Sequence, residues 1–256
     1  MKKVLLVTLG AAVLMLSLSP AASASAFLQL SNGASTLTCD NSAAFTATNC
    51  GAGFVTVANG NNITFGGAVG GYNVTQVSLT GNQPGTAVLA TANDSKNAVQ
   101  NLTAGATSLI ITFAENNFSL PAGTPLTVSS SQSGTFAVAQ TGNGQTFSAW
   151  GSGGNTLTVG AGTLTGPTTC LSPAPAPTPT GGTTSCSANS IPTSFARAGN
   201  FAVSGSETIA LVQGGIANFT ATIDVTPPPP VIPEPSSLLL LGSGLVLLAG
   251  RQLRKK

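Results

Sequence analysis

The sequence predicts an all-β protein with a β-sandwich-like body between two targeting segments. Three observations carry this prediction. Short runs of alternating apolar and polar residues recur along the chain and are separated by Gly-rich turns. No helical period competes with them outside the termini. Each end carries an apolar run beside Lys or Arg. The 256 residues leave room for one all-β domain of about 200 residues or for two smaller ones.

Residues 1–26 are predicted to be a secretory signal peptide. Lys2 and Lys3 form its positive start, an apolar run extends from Val4 to Leu18, and Pro20 ends any helix. Two overlapping Ala-Ser-Ala triplets follow, so signal peptidase is expected to cleave after Ala24 or Ala26. The alternative is an uncleaved anchor helix, for which the apolar run is short.

Residues 27–226 are predicted to form the β-rich exported body. In its clearest strand, Ala217–Val225, alternate residues share one apolar face. Asn-Gly and Gly-Gly pairs such as Asn32-Gly33, Gly66-Gly67 and Gly70-Gly71 are expected to mark turns. Further strands are predicted at residues 53–57, 73–79, 107–113, 125–129, 135–139, 156–159 and 207–212.

The body carries very little charge. Between Phe27 and Pro233 only Lys96 and Arg197 are positive, against five carboxylates, which gives a net charge of −3. No basic patch is present to follow a phosphate backbone, so nucleic-acid binding is excluded. The chain contains no His, which rules out a Ser-His-Asp or Cys-His catalytic arrangement. We therefore expect no enzyme, no catalytic residue and no cofactor.

Polar groups of the body suggest weaker alternatives. Asp94 and Glu115 could act as an acid–base pair, but surface solvation is the expected role of such scattered carboxylates. Asp40-Asn41, Asn93-Asp94 and Glu115-Asn116-Asn117 offer oxygen ligands for Ca²⁺, yet no calcium-loop motif is present and Asn and Asp are typical of turns, so no metal is predicted. Tyr72 and Trp150 are the sole residues of their types, and Trp150 is the candidate platform for a sugar ring.

The four cysteines are expected to form disulfides, because an exported chain meets an oxidising environment. Three pairings are possible. Sequence proximity favours Cys39–Cys50 and Cys170–Cys186, and the second bond would close a Pro- and Gly-rich loop that cannot pack a core of its own. A metal site is the rival interpretation. Neither a Cys-x-x-Cys pair nor a His supports it.

The C-terminal 30 residues form a linker and a hydrophobic segment. Residues 227–235 make up a Pro-rich spacer that ends in Pro233-Glu234-Pro235. Residues 236–256 follow, with an apolar run at 238–250. As a helix this run would span about 20 Å, which is short for a bilayer and suits transient retention in the inner membrane. The segment closes on a basic stop that is expected to stay in the cytoplasm, formed by Arg251, Arg254, Lys255 and Lys256.

The segment Val231–Lys256 resembles the sorting signal of the PEP-CTERM/exosortase family in its three parts and their order. The resemblance implies that exosortase, a transpeptidase-like membrane enzyme, recognises Pro233, Glu234 and Pro235 and cleaves near them. It also implies a Gram-negative host that produces exopolysaccharide, with export to the envelope, surface or matrix. The resemblance covers about 26 residues and is silent on the body's activity.

Two functions from different classes follow. The first is a surface or matrix protein with an exopolysaccharide-associated structural role, processed by signal peptidase and exosortase. The second is a carbohydrate- or surface-binding β-module delivered by the same route. A hydrolase is a distant third, because the body lacks the usual catalytic residue types.

Overall fold

A computed structural model describes residues 25–41, 50–56, 62–104, 108–137, 140–172 and 184–229. The predicted signal peptide, apart from Ser25 and Ala26, lies outside these ranges, as do residues 230–235 of the predicted linker and the whole predicted hydrophobic segment, residues 236–256. No helix among the described residues has the length and apolar character needed to cross a membrane.

The described residues form strands and turns, and none of them is helical. The 14 strands are β1 (Ala26–Ser31), β2 (Thr36–Asp40), β3 (Phe54–Thr56), β4 (Asn62–Val69), β5 (Tyr72–Gly81), β6 (Ala90–Asn101), β7 (Ser108–Phe118), β8 (Leu126–Phe136), β9 (Gly144–Ser152), β10 (Thr163–Leu171), β11 (Thr184–Asn189), β12 (Thr193–Phe195), β13 (Phe201–Ala210) and β14 (Ile216–Thr226).

The strands build two stacked antiparallel sheets, which confirms the predicted all-β sandwich. The first sheet has six strands in the order β10-β9-β13-β7-β1-β2. The second has eight strands, seven of them in the order β11-β8-β14-β6-β5-β4-β3, and β12 adds to it by pairing with β8. At one edge of the sandwich β10 lies against β11, and at the opposite edge β2 lies against β4 and is joined to the chain that leads into β3.

The core lies between the sheets and follows from the alternation of side chains along each strand. In β14, Ala217, Phe219, Ala221, Ile223 and Val225 are at most 2% exposed, which confirms the apolar face predicted for this segment. Aromatic rings fill the middle of the core. They pair as Phe113 with Phe147, Phe118 with Phe201 and Phe136 with Phe219. Each buried ring contributes about 2–3 kcal/mol of hydrophobic stabilisation.

Three predicted elements differ from the structure. The predicted strands 125–129 and 135–139 fall largely on one continuous strand, β8, because pairing with β14 on one side and β11 on the other extends it through the Ser-rich stretch between them. The predicted strand 156–159 is wrong. It belongs to the connection from β9 to β10, where positive φ at Asn155, Gly160 and Gly162 turns the chain.

Glycine pairs also differ in role. Asn32-Gly33 and Gly70-Gly71 turn the chain between β1 and β2 and between β4 and β5, as predicted. Gly66-Gly67 lies instead inside β4, at a register irregularity between Phe65 and Gly67. Gly67 there has a φ of 147°, so the pair serves as a local bulge in a strand and does not end it.

Candidate functional site

Two disulfides close the opposite edges of the sandwich. Cys170 in β10 bonds to Cys186 in β11, and Cys39 in β2 bonds to Cys50, which lies just before β3. These are the pairings that sequence proximity favoured. Because β10 and β2 are the two edge strands of the six-stranded sheet, each bond joins this sheet to the facing edge of the other sheet.

Four of the seven charged residues of the body lie in the interior. Asp94, Lys96, Glu115 and Glu207 are each at most 3% exposed. The expectation that Asp94 and Glu115 solvate the surface is therefore wrong. Inward-facing positions of β6, β7 and β13 hold these side chains, because strand alternation sets the face of a residue regardless of its polarity.

Lys96, Asp94 and Glu207 form one buried ion-pair cluster across the two sheets. Lys96 Nζ donates to Asp94 Oδ2 over 3.0 Å and also contacts Glu207 Oε1. Lys96 and Asp94 lie on β6 of the eight-stranded sheet, whereas Glu207 lies on β13 of the six-stranded sheet. Gln145 Nε2 in β9 donates to the second oxygen of Glu207 over 2.7 Å. All three charged side chains have no exposed surface.

The cluster contains two carboxyl groups and one amine. Burial raises the pKa of Glu207 to about 7, with Lys96 lowering it and Asp94 raising it further. Burial also raises the pKa of Asp94, and Lys96 partly offsets that effect. Both shifts favour the protonated form of a carboxyl group, because two buried carboxylates around one basic side chain would leave a negative charge uncompensated.

Glu115 forms a separate buried site near the end of β7. Its Oε2 accepts from Gln83 Nε2 over 3.3 Å, whereas Oε1 has no hydrogen-bond partner among the described residues. Burial raises the pKa of this carboxyl well above its ordinary value. The backbone of Gly81 lies against the carboxylate, and a Cβ at this position would overlap Glu115 Oε2. Asp94 and Glu115 thus have different hydrogen-bond partners, Lys96 for Asp94 and Gln83 for Glu115.

The residues considered for Ca²⁺ serve the fold. Asn93 lies in the middle of β6 and donates from Nδ2 to Thr222 Oγ1, Asn41 Oδ1 accepts from the N–H of Ala26, and Asn116 Nδ2 donates to the carbonyl of Asn155. Across the described ranges no three residues of the His, Cys, Asp and Glu types converge as metal ligands. Asn93-Asp94 is thus a strand segment, where the sequence favoured a turn.

The outward faces of both sheets carry mostly hydroxyl and amide side chains. On the eight-stranded sheet, two shallow grooves of about 370 and 230 Å³ run across β5, β6, β14, β8 and β11. Their outward-facing lining residues are uncharged and consist of Gln76, Ser78, Ser95, Asn97, Ser131, Ser133, Ser187, Asn189, Asn218, Thr220 and Thr222.

The two single aromatic residues have different environments. Tyr72 has no exposed surface, and its hydroxyl donates to the carbonyl of Ile209 and accepts from the N–H of Leu211. It is thus a core residue that links β5 to the opposite sheet. Trp150 is partly exposed and lies on the outward face of β9, between its register partners Leu164 and Ser204.

The sorting residues Pro233, Glu234 and Pro235 and the basic stop at residues 251–256 lie outside the described residues. β14 ends at Thr226, and the chain is described up to Pro229, so the folded body ends just before this segment. Comparison with known families finds a match at residues 231–255 to the PEP-CTERM protein-sorting motif. The chain carries a PEP-CTERM sorting motif.

The PEP-CTERM motif indicates an exosortase substrate that is exported to the cell envelope or surface of a Gram-negative bacterium. The matched residues include the predicted Pro233-Glu234-Pro235 and most of the predicted hydrophobic segment. No curated protein matches the chain. The PEP-CTERM motif therefore assigns the sorting route, and the role of the body rests on its geometry.

Sequence reasoning missed the buried cluster. The sequence marks Lys96 only as a rare positive charge and does not distinguish Glu207 or Gln145 from other polar residues. The available signal was the spacing of Asp94 and Lys96, which places both on the same face of any strand. Their partner Glu207 lies 111 residues from Lys96 in the sequence, and only the stacking of the sheets brings it into contact.

Proposed function

We propose that the protein is a structural component of the cell surface or extracellular matrix, associated with exopolysaccharide and delivered by exosortase-dependent sorting. The observation that carries this proposal is the closure of both sandwich edges by disulfides. A small protein outside the cell has no chaperones to refold it, and cross-links of this kind keep the unfolded state unfavourable.

The outward faces support contact with a polysaccharide. Their Ser, Thr and Asn side chains offer donors and acceptors that match sugar hydroxyl groups without the need for an opposite charge. The grooves are shallow and their outward-facing lining residues are uncharged polar ones, unlike the concave pockets lined mainly by hydrophobic side chains that bind small molecules. Many weak contacts along an extended polymer fit such a surface better than one tight site.

A carbohydrate-binding module is the second candidate, and the observation that favours it is the outward position of Trp150. An indole ring on a sheet face can stack against a sugar ring. The surrounding residues on this face include Ser148 and Thr146 of the same strand, which could hydrogen-bond to the sugar hydroxyls.

One sedimentation experiment separates the two candidates. Mature protein from the native host is mixed with the host's purified exopolysaccharide, and the bound fraction is measured against polymer concentration. The structural proposal expects weak binding without a sharp saturation point that survives Trp150→Ala, together with a softer matrix in a strain that lacks the protein. Saturable binding that is lost in Trp150→Ala but kept in Leu164→Ala favours the module.

Leu164 is the matched control, because it is the register partner of Trp150 on β10 and is 44% exposed. Truncation at either position removes an apolar side chain from the same face of the same sheet. Complete absence of the protein from the pellet, combined with an unchanged matrix in the deletion strain, would contradict both candidates.

A further inference from the structure

The Lys96–Glu207 contact places an amine and a carboxyl group together at the centre of the sandwich. Lys96 Nζ touches Glu207 Oε1, and Asp94 Oδ2 lies 3.0 Å from the same nitrogen. Lys96 and Glu207 lie on different sheets and are 111 residues apart in the sequence. Any covalent bond between them would therefore cross-link the two sheets.

Apolar residues lie beside the pair on the neighbouring strands. The register partners of Lys96 are Val77 in β5 and Phe219 in β14, and those of Glu207 are Ile111 in β7 and Phe147 in β9. All four side chains are at most 2% exposed. In such surroundings an ion pair has a high desolvation cost, whereas neutral groups do not.

We propose that Lys96 and Glu207 condense into an intramolecular amide that joins β6 to β13. Lys96 gives a proton to Asp94, and the freed lone pair on Nζ attacks Cδ of the protonated Glu207 carboxyl. The new N–C bond forms and the C–Oε1 bond breaks. Asp94 passes its proton to the departing oxygen, which already carries the carboxyl proton, so one water molecule leaves. Asp94 then takes the second proton from Nζ and ends as a neutral carboxyl beside a neutral amide, and no oxidant or reductant is required.

The other groups of the cluster have defined roles in this step. Gln145 Nε2 donates to Glu207 Oε2, the oxygen that remains in the amide, and so stabilises the negative charge that develops there during attack. Contact between the two reactants corresponds to an effective concentration on the order of 10⁵ M or more. Because the side chains of the pair have no exposed surface, bulk solvent would not reach the product to hydrolyse it.

The proposed amide would complete a set of three cross-sheet bonds. The disulfides join the sheets at the two edges, β10 with β11 and β2 with the chain before β3. β13 and β6 lie at the middle of the two sheets, between those edges. Unlike the disulfides, the amide would survive reduction. The inference does not depend on the proposed matrix role or on the exosortase route.

Peptide mass spectrometry tests the amide directly. The full chain is reduced, denatured and digested with trypsin, for which Lys96 and Arg197 are the only cleavage sites between Phe27 and Pro233. The amide predicts no cleavage after Lys96. It also predicts a branched product in which the peptide that contains Lys96 is joined to the one that contains Glu207, with a mass lower by one water molecule.

Variants assign the chemistry. Glu207→Ala should restore cleavage after Lys96, whereas Glu115→Gln, a change at a buried carboxyl outside the cluster, should leave the branched product intact. Asp94→Asn should slow the reaction, so that freshly folded protein contains a mixture of linked and unlinked chains. The proposal would be overturned if wild-type protein with both disulfides formed were cleaved completely after Lys96 and gave peptides with no loss of water. Lys96 and Glu207 would then be a buried ion pair. This result needs no variant to fold.

Discussion

Removal of the Cys170–Cys186 disulfide should destabilise the body by about 3 kcal/mol. The bond closes a loop with a sequence separation of 16 residues, and the loop-entropy relation gives about 3 kcal/mol for that length at room temperature. The Cys39–Cys50 bond closes a shorter loop, with a separation of 11, and the same relation gives about 2.8 kcal/mol. The two bonds lie at opposite edges, so their contributions should add.

The assay is urea unfolding of the double variant Cys170→Ala/Cys186→Ala, with Cys39→Ala/Cys50→Ala as the matched control. Trp150 is the sole Trp and lies in β9, beside β10, so its fluorescence reports on the edge that loses its bond. Each double variant should lose about 3 kcal/mol, and the quadruple variant about 6 kcal/mol. If either double variant lost less than about 1 kcal/mol in free energy of unfolding at an unchanged m value, the disulfide at that edge would not stabilise the body as predicted.

Three further predictions concern buried groups and the start of the body. Glu115→Gln should stabilise the protein at pH 8 by about 1–3 kcal/mol and change little near pH 4, as measured by urea unfolding at both values. The folded state holds the Glu115 proton more tightly than the unfolded chain does. The contribution of Glu115 to the free energy of unfolding is therefore complete below pH 4.5 and is lost as the pH rises through its raised pKa. A difference in stability between wild type and Glu115→Gln that stays the same at pH 4 and pH 8 would contradict this assignment. Gly81→Ala should lower the free energy of unfolding by about 1–3 kcal/mol in the same assay, because the added Cβ overlaps the Glu115 carboxylate. The loss should be much smaller in a Glu115→Ala background, where that carboxylate is missing. N-terminal sequencing of the mature protein should start at Ser25, since cleavage after Ala26 would remove a buried residue of β1 whose N–H donates to Asn41; a start at Phe27 would contradict this.

The sequence was sufficient to predict the sandwich and the disulfide pairing. β14 shows why: its apolar residues alternate strictly with polar ones, and both sheets obey the same period. The cysteine pairs lie 11 and 16 residues apart in the sequence, so proximity alone selected the pairs that the structure contains. Their position at opposite edges depends on strand order, which no local pattern encodes.

β6 was not predicted, and the reason is physical. Asp94 and Lys96 occupy inward positions where an apolar residue is expected, and the outward positions between them are polar too, so the alternation that identifies a strand is missing over its central part. The residues that compensate these charges, Glu207 and Gln145, come from β13 and β9 of the opposite sheet. Local sequence rules predict a turn or surface position for Asp94, because they contain no information on such distant partners.

Mass spectrometry of both termini of the mature protein, from the native host and from a strain without exosortase, tests the central claim most directly. The account predicts a C-terminus near Pro233 in the wild-type host and an unprocessed tail that ends at Lys256 without exosortase. A C-terminus at Lys256 in both strains would contradict it. In that case the segment at residues 231–255 would act as a membrane anchor, and exosortase would have no part in the export of this protein.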